Sequence, residues 1–154
     1  MSDKHKKLHL NIINRKASFE YAFLHKYTAG IQLSGTEVKS VKAGNVNIGE
    51  AYCVFESDGL YVKNMHISEF QYGGHYNHDP LRSRKLLLKK SELEKIKERI
   101  REKGITLVPV KMFLSERGYI KVEIAVAKGK KDYDKRESNK ERDVERQLRR
   151  KEYD

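Results

Sequence analysis

The 154-residue chain has one cysteine, Cys53. That excludes an intrachain disulfide and any cysteine-rich zinc site. No apolar run approaches the roughly 18–20 residues that span a bilayer. The N-terminal stretch is broken by His9, Asn11 and Asn14, too short and too polar for a secretory signal. A cytoplasmic protein with no membrane partner is expected. The Gly-x-x-x-x-Gly-Lys-Ser/Thr phosphate loop, the Gly-x-Ser-x-Gly elbow and His-Glu-x-x-His are missing, so the chemistries tied to them have no footing. Apolar side chains are scarce at the C-terminal end, where the last 27 positions hold only Tyr133, Val144, Leu148 and Tyr153. These cannot offset the entropy of ordering that segment by itself.

What the chain has in excess is positive charge. Lys and Arg number 33 against 22 Asp and Glu, for a net charge of +11. The pI is near 9.6 and the mean hydropathy −0.81. Charged residues make up 36%, against about 25% in an ordinary domain. The excess is segregated: residues 1–16 carry net +4, residues 82–103 net +6 and residues 128–154 net +3, whereas residues 17–81 carry −3. Such a chain is suited to a polyanion. Three regions follow: a basic N-terminal arm over 1–14, a core-forming domain over 15–129, and a basic tail over 130–154.

Within the domain, Phe19 to Tyr27 alternate aromatic and small or polar residues with period two, predicting a strand. Thr28-Ala29-Gly30 turns or bulges it. Thr36 to Val46 reads as a short helix capped by Thr36, with Val38 and Val41 on one side. Ala51–Glu56 and Leu60–His66 form strands across the Ser57-Asp58-Gly59 turn, and Phe70 to Pro80 a loop. Ser91 with Glu94 makes a capping box for a helix to Lys103, buried through Leu93, Ile96 and Ile100 and stopped by Gly104. Ile105–Leu114 and Tyr119–Ala127 are long β runs. About six short strands and few helices predict a mainly β chain, a small OB-like barrel with about three short helices and a flexible basic tail.

His75, His78 and Asp79 sit close in sequence, but in a Gly-Gly loop with no helical pair to fix ligand geometry, so no metal is assigned. Cys53 reads as buried strand filler, and no catalytic residue or cofactor is assigned. The basic segments say more. Arg82-Ser83-Arg84-Lys85 and Lys89-Lys90 flank Leu86-Leu87-Leu88, placing bases beside an apolar plug before a helix, where they can hold phosphates. In Lys128 to Arg136 cations surround Tyr133, which can stack on a base. Wound as a helix from Arg142 at zero, the tail puts Lys135 near 20°, Arg146 near 40° and Arg149 near −20°. Glu137, Glu141 and Glu145 fall on the opposite side. A helix with one cationic and one acidic face and almost no apolar seam is expected to fold on binding a groove of phosphates.

Several blocks, in order and over nearly the whole chain, carry a family resemblance. They are Asn14-Arg15-Lys16-Ala17, Gly35-Thr36-Glu37-Val38-Lys39-Ser40, Ala43-Gly44, Asp79-Pro80, Arg82 through Leu88, and Val126 through Lys131 with Asp134-Lys135-Arg136. Together they resemble the signature of the SsrA-binding (small protein B) family. The resemblance implies a non-enzymatic adaptor that binds the tRNA-like domain of transfer-messenger RNA and delivers it to the empty A site of stalled ribosomes for trans-translation. Its partners would be that RNA, the ribosomal decoding centre and mRNA channel, and elongation factor Tu with the aminoacylated RNA; the protein would be a monomer. The RNA-binding residues would be Asn14, Arg15, Tyr21, Thr28, Lys85, Leu87 and Lys89. The ribosome-binding tail would use Lys128, Lys130, Lys131, Tyr133, Asp134, Lys135, Arg136, Arg142 and Arg146. Relatives often carry glutamate, asparagine and histidine where this chain has Thr28, Lys89 and Tyr133, which keep hydrogen-bonding and stacking capacity. An RNA-processing enzyme using the His75–Asp79 loop, and a structural ribosomal protein, are the alternatives that the residues alone leave open.

Overall fold

The structure is a computed structural model that describes residues 10–153, with the side chains at 132–134, 137–139 and 149–153 outside the description. Lys4, Lys6 and Lys7 of the N-terminal arm therefore lie outside the described residues, as do the side chains of Tyr133 and Asp134. In chain order the elements are β1 (Asn11–Ile13), α1 (Arg15–Glu20), β2 (Tyr21–Ile31), α2 (Gly35–Lys42), β3 (Val46–Asn47), β4 (Tyr52–Glu56) and β5 (Gly59–Lys63). There follow β6 (His66–Ile67), a 3-10 turn (Gly74–Tyr76), β7 (Arg84–Leu87), α3 (Lys90–Arg99), β8 (Ile105–Leu114), β9 (Ile120–Gly129) and α4 (Asp132–Tyr153).

Seven strands form one antiparallel sheet in the order β1-β8-β9-β2-β7-β5-β4, and β3 pairs with β6 apart from it. The sheet is not hydrogen-bonded into a closed cylinder. It curls until β4, at one end of the order, comes back against β8 near the other. This is an OB-like barrel left open along one seam. Its interior holds Ala29, Leu60, Val62, Leu86, Leu107, Met112, Val122, Ile124 and Val126, with Val41 of α2 and Ile96 of α3 packed into the same core. Alternation along each strand puts these side chains inward and their neighbours outward.

Local readings differ from the sequence expectation at several points. Phe19 and Glu20 end α1 instead of opening β2, because Asn14 caps a helical turn whose Ala17 is buried. Leu86 and Leu87 lie in β7, which pairs with both β2 and β5; only alternate residues of this run are buried, so it reads as a strand. Helix α2 is capped by Ser34, whose Oγ accepts from Glu37 N while Glu37 Oε1 accepts from Ser34 N at 2.8 Å. Thr36 instead bonds His78 Nδ1 at 2.9 Å. Helix α3 starts one residue before Ser91, with Glu92 Oε1 accepting the Lys89 N–H at 3.2 Å.

Pro109 sits in β8 beside a register shift between Pro109 and Lys111, where a missing N–H is tolerated. Its carbonyl accepts a hydrogen bond from Asn14 Nδ2 at 2.8 Å. Asn14 thereby ties β1 and α1 to the bulge.

Candidate nucleic-acid interface

Strands β2, β7 and β9 lie side by side, and their outward residues build a surface. Gly30 of β2 stands opposite Leu87 on β7 and opposite Lys121 on β9. A Cβ at Gly30 would come within 3.3 Å of Leu87 Cβ, so glycine lets Leu87 lie down across β2. Leu87 remains 47% exposed. Thr28, exposed, faces Glu123 across the β2–β9 pair. Lys26 and Lys111 reach Glu123 at 3.7 and 3.9 Å, so the one acid in this part of the face is already shared by two lysines. Lys85 is held lower on β7, 3.9 Å from Asp58, whose carboxylate accepts the Tyr61 hydroxyl at 2.7 Å. Lys89 is exposed at the start of α3.

Beside Leu87 a cavity of about 380 Å³ is lined by Gly30, Val38, Lys42, Tyr119 and Lys121 among others. Tyr119 is 65% exposed, placed there by the β8–β9 turn, where Gly118 adopts φ 86. Sequence reasoning passed over Tyr119, Lys121 and Lys42. Their signal is only their register in β9 and on α2, which becomes visible once the strands are paired. An apolar patch carrying an exposed aromatic and ringed by lysines suits stacked bases and phosphates.

The other end of the same outward face is closed. Helix α1 lies over it, with Ala17 packed on Val108 and Ala127 beside Tyr21 and Phe23. Tyr21 and Thr28 are seven residues apart along β2, or about 23 Å. The expected RNA-binding residues therefore divide. Thr28 and Leu87 lie on the open face with Lys85 at its edge, Lys89 is exposed at the start of α3, and Arg15 and Tyr21 lie at the α1 end.

Asn14 belongs to neither group. It is 2% exposed, its Nδ2 donates to Ile48 O at 3.0 Å and Pro109 O at 2.8 Å, and its Oδ1 accepts from Ala17 N at 3.0 Å. Both amide hydrogens and the amide oxygen are engaged inside the protein, so it is a positioning residue for α1 and Arg15. Arg84 is likewise a correction to the basic plug. It is fully buried, Nε paired with Glu37, Nη1 donating to Met65 O at 2.6 Å and Nη2 to Pro80 O at 3.2 Å. Burial pushes the Glu37 carboxyl up, but hydrogen bonds from Arg82, the Ser34 N–H and Arg84 outweigh it and hold the group at about 2. The His78 ring is engaged at both nitrogens, Nε2 donating to Ile67 O at 2.8 Å. Among the described residues no group of three or more His, Cys, Asp or Glu is placed to hold a metal ion. Burial pushes the Cys53 thiol up, away from the reactive thiolate.

The tail positions start at the α1 end. Lys128 is exposed near the end of β9, opposite Ala22. Lys130 donates from N to Glu20 O at 2.8 Å and from Nζ to Ser18 O at 3.1 Å. Lys131 is exposed just ahead of α4, and Lys135 and Arg136 lie in its first turns. Arg142 stacks over Phe19, 5.2 Å from the ring centroid, and Arg146 is exposed beyond it. No helix among the described residues is long and apolar enough to cross a membrane.

The family model described as SmpB protein matches residues 11–153. The chain belongs to the SmpB family. The SsrA-binding protein of Cytophaga hutchinsonii is 54% identical over 150 residues, covering 97% of this chain and 98% of the relative. The SsrA-binding protein of Christiangramia forsetii is 48% identical over 139 residues, covering 90% and 88%. A solved structure described as "tmRNA-SmpB: a journey to the center of the bacterial ribosome" superposes with a TM-score of 0.68 at 45% identity, over 80% of this chain and 86% of that one. This SmpB-family chain thus shares its OB-like body with a protein seen with transfer-messenger RNA and the ribosome.

Proposed function

We propose that this chain binds transfer-messenger RNA at its tRNA-like domain and brings it to the vacant A site of ribosomes stalled on a message, for rescue by trans-translation. The observation that carries this reading is the open outward face of β2, β7 and β9, where Leu87 lies across Gly30 beside Tyr119 and lysines surround them. Leu87 and Tyr119 meet ribose and base surfaces. Lys85, Lys89 and Lys121 meet phosphates, and the Thr28 hydroxyl accepts or donates to the backbone. Arg15 and Tyr21 contact RNA at the α1 end, with Asn14 fixing their position.

The tail is the ribosome-facing part. Lys128, Lys130, Lys131, Lys135, Arg136, Arg142 and Arg146 meet ribosomal RNA near the decoding centre and in the empty mRNA channel, with Tyr133 and Asp134 between them. The tail, helical over Asp132–Tyr153, is loosely held in the free protein and fixed as a helix only in that channel. The protein acts as a cytoplasmic monomer and catalyses no step itself; elongation factor Tu accompanies the charged RNA, and peptidyl transfer belongs to the ribosome.

The test compares the full chain with one ending at Gly129. Both should bind the tRNA-like domain with similar affinity, and only the full chain should support peptide tagging on ribosomes stalled on a message without a stop codon. Failure of the full chain to bind that RNA, or full tagging by the shortened one, would overturn the reading.

A further inference from the structure

Between α1 and α4 lies a cleft of about 370 Å³ lined by Ile13, Arg15, Ser18, Arg142, Glu145 and Arg146. It brings three guanidinium groups to one space with a single carboxylate. None of the three arginines makes an ion pair among the described residues. Among the described residues no apolar seam holds the helix there, since Val144 is 54% and Leu148 57% exposed. Arg142 over Phe19 is the specific contact that seats it.

Drawing three cations together is unfavourable unless an anion answers them, and the guanidinium fork matches a phosphate in a bidentate manner. The basic character continues past the cleft: Lys130 Nζ donates to the carbonyl of Ser18, one of its wall residues, at 3.1 Å. One more cation at the wall and an apolar rest beside it fit a phosphodiester with its ribose better than a lone ion. Ile13, 49% exposed, offers an apolar rest for a ribose.

We propose that this cleft holds one phosphodiester of an RNA backbone, gripped by Arg15 from the body and by Arg142 and Arg146 from the tail helix. The phosphate then serves as the bridge that seats α4 against α1, so that the tail's position depends on RNA. This deepens the proposed function and rests on it. The phosphodiester comes either from the tRNA-like RNA or from ribosomal RNA at the decoding centre, which the two RNAs in the experiment separate.

The experiment uses the full chain labelled with 15N-arginine and follows the guanidinium Nε–Hε resonances. It is titrated with the tRNA-like domain, with a decoding-centre rRNA hairpin, and with inorganic phosphate. Joint, saturable shifts of Arg15, Arg142 and Arg146 with either RNA, and none with inorganic phosphate at matched concentration, support the site and name its source. In Arg15→Gln, saturated with RNA at raised concentration, the Arg146 shift should vanish. Arg146→Gln should likewise silence Arg15. Each of these side chains lacks an ion-pair partner, so an unchanged unfolding midpoint confirms that the variants are folded. Unmoved resonances on an RNA that binds overturn the cleft and leave the proposed function standing. Equal shifts with inorganic phosphate overturn it as an RNA site. A chain that binds neither RNA overturns the proposed function and the cleft together.

Discussion

Arg84 Nε donates to Glu37 Oε2 inside the barrel, and neither side chain has any exposed surface. The pair links α2 to β7, and Arg82 joins it from the rim, Nη2 to Glu37 Oε1 at 2.6 Å. Arg84 also donates to three carbonyls, those of Met65, Asp79 and Pro80, which fixes the approach of the loop to β7. Removing one partner leaves a buried charge without an answer. Glu37→Gln should therefore lower unfolding stability by roughly 3–5 kcal/mol, read from urea denaturation. A loss under about 1 kcal/mol would show that the network matters little.

The same group predicts an acid limb. Glu37 ionises at about 2 in the folded protein against an ordinary value of 4.5. Its folded value is depressed, so its contribution is complete above about pH 4.5 and is lost as pH falls from there toward about 2. The amount at stake is about 3 kcal/mol. Unfolding free energy measured against pH should fall over that window. In Glu37→Gln this part of the slope should disappear.

Asn14 separates positioning from contact. Asn14→Ala removes the α1 cap and takes one donor from each of two carbonyls, that of Pro109 and that of Ile48, which keeps the Ala51 N–H. Thermal or urea unfolding should show a loss of about 2–3 kcal/mol. Under conditions where the variant is folded, its affinity for the tRNA-like domain should fall no further than that of Arg15→Gln, because the side chain acts only by placing α1 and Arg15. A large drop in affinity with unchanged stability would instead make Asn14 a contact residue.

Salt reports on the lysines. If Lys121 meets a phosphate, Lys121→Gln should weaken RNA binding and reduce the slope of log affinity against log salt by about 1. Filter binding across a salt series reads both quantities. A slope identical to that of the parent chain would remove Lys121 from the phosphate contacts.

The legible parts of this chain were those with strong local signals. The Ser57-Asp58-Gly59 turn gives β4 and β5. The apolar runs around Gly118 give β8 and β9, and Ile96 with its neighbours marks α3. Arg84 was not legible as a core residue, since an arginine among basic neighbours looks solvated until Glu37, 47 positions earlier, is brought beside it. Asn14 was not legible as a clamp for the same reason, its partner Pro109 lying 95 residues away. Strand β7 was hidden because three leucines in a row before a helix suggest no period; the two neighbouring strands decide which of them turn inward. Helix α1 was missed because a six-residue helix carries too little pattern against the aromatic alternation that follows it. The open sheet face could not be assembled from spacing, because Gly30, Leu87 and Lys121 meet only through register.

Leu87 is the most direct probe of the central claim that the outward face of β2, β7 and β9 seats the RNA. It is half exposed and packs mainly over Gly30, so Leu87→Glu should leave the unfolding midpoint nearly unchanged. The deciding measurement is the dissociation constant of Leu87→Glu for the tRNA-like domain of transfer-messenger RNA at fixed salt. A weakening of about tenfold or more, equal to about 1.4 kcal/mol, is the predicted result. A dissociation constant equal to that of the parent chain, with the fold intact, would contradict it.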